Sequence, residues 1–228
     1  MLFISEIGLN YNSVFSNCEK LIKMSKWAGA DIAKFQLGWK GKVGEINHLD
    51  YDKISQLFDW CDKYEIEIMF SIFNFESLEL IKKFPVKRFK IASRTLIDNF
   101  DLCKKIISLN METFISLGMW ENKDKLPFLD DNIRYLWCKS NYPTDNDDLK
   151  FLPKSFFDKK IIGYSDHSIG IESALIAITR GAKIIEKHFT LDKTSDFIRD
   201  HALSAEPEDF KILTSLGREI SKKINYGI

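Results

Sequence analysis

Two pentapeptides in the last third of the chain carry residue types and spacing suited to chemistry: Gly163-Tyr164-Ser165-Asp166-His167 and Glu186-Lys187-His188-Phe189-Thr190. Each follows a short apolar run, Lys160 to Ile162 and Ala182 to Ile185, and a helix-like segment from Ile169 to Arg180 lies between them. This spacing predicts a strand, a helix and a parallel strand, with a histidine at the carboxyl end of each strand. Neighbouring strands lie about 4.8 Å apart, so the two imidazoles can converge on one ion.

The rest of the chain must position that pair. Strands are expected at Leu2 to Leu9, Asp31 to Gln36, Glu67 to Ser71, Arg88 to Ile91, Glu112 to Ser116 and Ile133 to Cys138, ahead of the two already named. Helical spacing follows most of them. Ser16-Asn17-Cys18-Glu19 fits a capping box before the first helix, and further helices are expected at Glu76 to Phe84, Ile97 to Leu109 and, weakly, Glu121 to Leu129. Pro207 opens a final amphipathic helix. The Leu37 to Leu49 connection is long enough to be a candidate functional loop. Eight strand-helix units predict an α/β fold, a (β/α)8 TIM barrel in one domain spanning 1–228, with the active site at the carboxyl ends of the strands.

Bulk composition excludes several classes. Thirty-three basic and 33 acidic side chains cancel, so nothing in the bulk charge attracts nucleic acid or a membrane surface, and no run approaches a membrane span. The four cysteines are scattered, without a Cys-x-x-Cys pair, which points to reduced thiols and a cytoplasmic address.

Residues at the strand ends define the chemistry. Alternation puts Glu6, Gly8 and Asn10 on one face, Lys34 and Gln36 on another, and Glu186 with His188 on a third. Adding Ser71, Lys90, Ser93, Ser116, Ser140, Ser165 and His167 gives the barrel mouth two ammonium groups, a ring of hydroxyls, two imidazoles and at least two carboxylates. Such a set can hold a small phosphorylated anion beside a metal ion. A polar residue after any single strand is more often a cap or a turn; eight such ends together are not.

Glu6-Ile7-Gly8-Leu9-Asn10, Ala33-Lys34-Phe35-Gln36, Lys90-Ile91-Ala92-Ser93, Ser140-Asn141-Tyr142-Pro143-Thr144 and the two opening pentapeptides resemble, in order and spacing, the catalytic barrel of sialic acid synthases. The resemblance implies a metal-dependent synthase that condenses phosphoenolpyruvate with N-acetylmannosamine or a related amino sugar, forming a nonulosonic or other 3-deoxy-2-keto acid and releasing phosphate. It implies that His167 and His188 ligate a divalent metal, Mn2+ in the first place with Mg2+ or Co2+ as alternatives. Imidazoles ligate in their neutral form, so activity should fall in mild acid. Lys34, Lys90, Ser71, Ser93, Ser116, Ser140 and Ser165 match positions that hold phosphoenolpyruvate, while Glu6, Gln36, Tyr142, Glu186 and Asp200 match sugar-binding and proton-handling positions. Glu6, Glu186 and Lys90 are the expected catalytic groups; Glu186 could instead orient a ligand histidine, and Tyr142 could simply pack the turn. His201 could belong to the site or to an exposed loop, His48 has no supporting motif, and Trp39, Trp120 and Trp137 fit packing better than stacking.

The chain also departs from the family pattern. Ser93-Arg94-Thr95 stands for Ser-Gly-Glu, Asn10-Tyr11-Asn12-Ser13 for Asn-His-Asn-Gly, Ser116-Leu117-Gly118 for Ser-Thr-Gly, and Ile198-Arg199 for Gly-Pro before Asp-His. Each change is expected at the barrel mouth. The resemblance covers the barrel and not the antifreeze-like C-terminal domain usual in the family, so that domain is expected on a separate protein, or the sequence is a fragment, or the acceptor differs; a homodimer is the expected assembly. The replaced carboxylate at Thr95 and the missing C-terminal domain motivate a rival, a non-catalytic barrel that partners a complete synthase; a pyruvate-dependent aldolase-type lyase is a third reading.

Overall fold

In the computed structural model, which describes residues 1–122, 125–157 and 160–225, eight parallel strands close in sequence order into one barrel. They are β1 (Leu2–Gly8), β2 (Ile32–Leu37), β3 (Glu67–Ile72), β4 (Arg88–Ile91), β5 (Glu112–Ser116), β6 (Ile133–Cys138), β7 (Ile161–Asp166) and β8 (Ile184–His188). The helices are α1 (Asn17–Trp27), α2 (Tyr51–Lys63), α3 (Phe75–Ile81), α4 (Ser93–Asp98), α5 (Phe100–Ile107), α6 (Asn146–Leu149), α7 (Glu172–Thr179) and α8 (Pro207–Asn225), with a 3-10 turn over Arg199–Leu203. Among the described residues no helix is long and apolar enough to cross a membrane.

Each strand is buried on both faces, and alternation decides which face does what. In β2, Ala33 and Phe35 join the large core between strands and helices, whereas Ile32 points into the barrel. Ile4, Ile32, Met69, Phe114, Leu136 and Ile184 form a separate apolar layer inside it. Below that layer Arg88 lies over the Phe114 ring, 5.6 Å from its centroid, and pairs with Glu67 at 2.6 Å and Glu112 at 2.5 Å. This floor closes the amino end of the barrel, leaving the carboxyl end as the accessible mouth.

Local signals decided the helix boundaries. Ser16 is already helical and makes no side-chain cap, because the chain enters α1 through a tight turn in which the Asn17 and Cys18 amides donate to Val14 and Phe15; the expected capping box is not formed. Asp50, Asn74, Asn99 and Asp145 cap instead. Asn99 ends α4 and starts α5 by accepting from the Leu102 amide at 3.2 Å, which splits the helix expected from Ile97 to Leu109. The described residues of Glu121 to Leu129 form no helix; Lys123 and Asp124 fall outside the described residues. That connection is held by the Tyr135 hydroxyl, which donates to the Phe128 carbonyl at 2.9 Å and accepts from its amide at 3.1 Å.

Gly163 sits against the interior layer: a Cβ there would come within 2.5 Å of Leu136 Cδ2 and 2.6 Å of the Ile184 carbonyl oxygen. Backbone cannot yield as a flexible side chain can. Gly163→Ala should therefore destabilise the barrel by about 1–3 kcal/mol, measured by urea unfolding; an unchanged midpoint would show that the strands part freely here.

Candidate active site

The carboxyl end of the barrel holds a cavity of about 240 Å3, of small-metabolite size, and all fourteen site residues expected from the sequence line it. Its lower part is a buried network of four charges. Lys34 Nζ contacts the Glu6 carboxylate and lies 4.0 Å from Glu186 Oε2, while Lys90 Nζ lies 3.6 Å from Glu186 Oε1. Hydroxyls complete it: Lys34 donates to Ser71 at 2.9 Å, Lys90 to Ser116 at 2.8 Å, and Ser165 donates to Glu186 at 2.7 Å. Gln36 donates to Glu6 Oε1 at 2.8 Å, and Ser93 Oγ accepts the Gly118 amide at 2.9 Å. The serines thus orient the charged groups as well as facing the cavity.

The expected grouping of Glu6, Gly8 and Asn10 on one face does not hold. Register shifts between Glu6 and Gly8, where Gly8 adopts a left-handed φ of +53°, and Asn10 lies beyond the strand, donating to the Phe189 carbonyl at 2.9 Å. A Cβ at Gly8 would approach both Gln36 Nε2 and Glu6 Oε1 to 3.1 Å. The bulge therefore makes room for the Glu6–Gln36 hydrogen bond.

Burial and charge act in opposite directions here. Burial alone would raise the Glu186 carboxyl, but Lys34, Lys90 and the Ser165 hydroxyl outweigh it and hold it at about 2. For Lys90 burial wins: its ammonium is held below the usual lysine range despite Glu186, with the Lys34 charge adding to the effect. The asymmetry follows from the count, since Glu186 faces two ammonium groups and Lys90 faces one carboxylate closely.

Above this network stand the imidazoles. The His167 and His188 ring centroids are 5.4 Å apart, and Tyr142 stacks on His167 at 4.2 Å. His167 Nδ1 donates to the Lys139 carbonyl at 2.8 Å, which leaves its Nε2 as the lone-pair nitrogen. His188 Nδ1 is buried without a hydrogen-bond partner, 3.9 Å from Asp200 Oδ2. Two imidazoles with unengaged lone pairs and a neighbouring carboxylate fit a divalent cation of the Mn, Co or Zn type. Among the described residues no group of three or more His, Cys, Asp or Glu side chains is arranged to hold an ion alone, so water and substrate would complete the coordination.

Seven further residues line the cavity: Trp39, Phe73, Ala92, Arg94, Met119, Cys138 and Arg199. Cys138 was legible from parity, two residues past inward Leu136; its Sγ is 3.6 Å from His167 Nδ1. Burial tends to raise this thiol, but His167 and Lys90 beside it bring it below the usual range. Trp39, expected as packing, reaches the mouth from the long loop, where it meets Phe73 at 5.4 Å and lies under the Arg94 guanidinium at 5.8 Å. Asn47 organises that loop by donating to the Gln36 and Trp39 carbonyls at 2.7 and 3.0 Å.

Only two of the departing residues face the cavity. Arg94 and Arg199 do so, the latter 4.7 Å from the Tyr142 ring centroid. Thr95 does not: it is buried and donates to the Ile72 carbonyl at 3.4 Å, because α4 turns it toward the helix layer. Tyr11 also points away, donating to Asn47 Oδ1 at 2.6 Å. His201 is no exposed loop residue. It is buried outside the cavity between Thr190 Oγ1 and Asn12 Oδ1, each 2.7 Å away, and burial lowers its pKa.

Because Glu186 is held near 2 in the folded chain, against an ordinary value near 4.5, its contribution to stability is complete above about pH 4.5 and is lost as pH falls toward 2. Urea unfolding of the wild type between pH 5 and pH 3 should lose about 2 kcal/mol more than Glu186→Gln does. Equal losses would show that the lysines do not hold this carboxylate ionised.

The NeuB family model matches residues 40–228. Over its whole length the chain is 32% identical to the N,N'-diacetyllegionaminic acid synthase of Campylobacter jejuni, covering 78% of that protein. It is 30% identical to the N-acetylneuraminate-9-phosphate synthase of Drosophila melanogaster, with 93% of this chain and 66% of that one aligned. The crystal structure of the N-acetylneuraminic acid (sialic acid) synthetase of Leptospira borgpetersenii, in complex with citrate, superposes with a TM-score of 0.85 at 27% identity, covering all of this chain and 86% of that one. Sequence and fold agree with the motifs gathered around the cavity: the chain belongs to the NeuB family.

Proposed function

We propose that the protein condenses phosphoenolpyruvate with an amino aldose, N-acetylmannosamine or a related 2-acetamido sugar, to a nonulosonic acid with release of phosphate. The observation that carries this reading is the meeting, in one cavity, of a buried two-lysine, two-glutamate network with a pair of imidazoles that have unengaged lone pairs. The relatives named as synthases of legionaminic and N-acetylneuraminic acid derivatives support the reaction class. One motive for a non-catalytic barrel, the replaced carboxylate at Thr95, weakens, since Thr95 does not reach the cavity.

In this reading Lys34 and Lys90 bind the carboxylate and phosphate of phosphoenolpyruvate, with Ser93 and Ser140 adding hydroxyl donors. His167 and His188 would hold Mn2+ or a similar ion, which when bound supplies Lewis acidity toward the acceptor aldehyde. Carbon-carbon bond formation leaves an alkoxide on the former aldehyde carbon, and water must add at C2 before phosphate departs. Glu186, whose buried Oε2 has no hydrogen-bond partner, can accept a hydrogen bond from that water and orient it. Lys90, with its proton affinity lowered by burial, is suited to give one from Nζ. Glu6, Gln36 and Tyr142 line the acceptor side, where Arg94 and Arg199 form the rim.

Incubation with Mn2+, phosphoenolpyruvate and a panel of 2-acetamido aldoses should release inorganic phosphate only when an acceptor sugar is present. Lys90→Met should lower kcat by about 10²–10⁴. No release from metal-loaded protein with any aldose would sink the reading.

A further inference from the structure

The residues immediately before the two histidines, Asp166 and Lys187, are registered partners on β7 and β8. Alternation turns them to the helix side while His167 and His188 face the cavity. Both side chains are fully buried, and Lys187 Nζ lies 3.2 Å from Asp166 Oδ2. The pair also grips the backbone. Asp166 accepts from the Tyr164 hydroxyl at 2.8 Å, the Ser168 amide at 2.8 Å, the Ser168 hydroxyl at 2.7 Å and the Ser173 hydroxyl at 3.1 Å, while Lys187 donates to the Ser168 carbonyl. Ser168 follows His167 directly, so one ion pair holds both the amide and the carbonyl of the residue next to a candidate ligand. On the other side the Thr144 amide donates to the His167 carbonyl at 2.9 Å.

A buried ion pair is no stability device by default, since apolar replacement of both partners is often neutral. Its place behind both imidazoles gives it another use. We propose that the Asp166–Lys187 pair is a positioning device that fixes the separation and orientation of His167 and His188, and through them the affinity of the site for a divalent cation. The metal consequence rests on the reading of these histidines as ligands; the geometric one does not.

Lys187→Met releases the Ser168 carbonyl but leaves Asp166 its hydroxyl and amide donors, so the barrel should still fold. Mn2+ affinity, measured by water-proton relaxation, should fall about 10- to 100-fold, and Lys187→Arg should largely restore it. The double variant Asp166→Asn, Lys187→Met removes the unpaired carboxylate and should recover unfolding stability without recovering Mn2+ affinity. Wild-type affinity in folded Lys187→Met, or affinity that returns together with stability in the double variant, would overturn the proposal. In metal-free protein, NMR should show a ring-to-ring Overhauser effect between His167 and His188 that Lys187→Met abolishes, and its persistence would equally overturn it. If wild-type protein binds no Mn2+, the metal reading alone fails, and the Overhauser measurement decides the positioning role.

Discussion

Four charges enclosed in a barrel must neutralise one another, and much of this structure follows from that constraint. Glu6, Lys34, Lys90 and Glu186 come from four different strands, and none is more than 5% exposed. Each would be costly to bury alone. Together, with Ser71, Ser116 and Ser165 bonded to them, they form a polar layer above an apolar one built from Ile4, Ile32, Met69, Phe114, Leu136 and Ile184. The apolar layer keeps water from reaching the network from below. The network in turn holds the two ammonium groups in place through Ser71, Ser116, Glu6 and Glu186, the kind of preorganisation that anion binding and proton transfer require.

The same strands produce the imidazole half of the site by carrying their alternation one residue pair further. Ser165 leads to His167 and Glu186 to His188, so the buried lysine–glutamate network and the candidate metal-binding pair are stacked levels of one barrel. Tyr142 covers His167 on the open side, and Arg199 covers Tyr142. The departures from the family pattern divide accordingly. Tyr11 and Thr95 serve packing of loops and helices, whereas Arg94 and Arg199 place two guanidinium groups at the cavity, where chemical individuality can be introduced without disturbing the buried network.

Strand order, barrel closure and the inward residues of β2, β7 and β8 were legible in the chain because period-two alternation is a local property. So were the histidines, each placed at a strand end by two residues of parity. Cys138 obeys the same rule on β6. Trp39 was not legible as a lining residue, since a loop follows no period and tertiary hydrogen bonds from Asn47 and Asn74 fix where its neighbours point. Thr95 was misplaced for a related reason: the residues after β4 enter α4 at once, and a helix turns successive side chains by about 100° where a strand would alternate them.

By itself the sequence determined which residues face inward along β2, β7 and β8 and which chemical groups gather at the mouth, because backbone geometry imposes a fixed alternation wherever no bulge interrupts it, as one does at Gly8 on β1. It did not determine how those groups pair. That Glu186 faces two lysines and that His188 keeps an unpartnered nitrogen were decided by barrel closure and stagger, which bring β8 beside β1 and pair Leu2 with Ile184, while the register of β7 on β8 closes Asp166 and Lys187 behind both histidines.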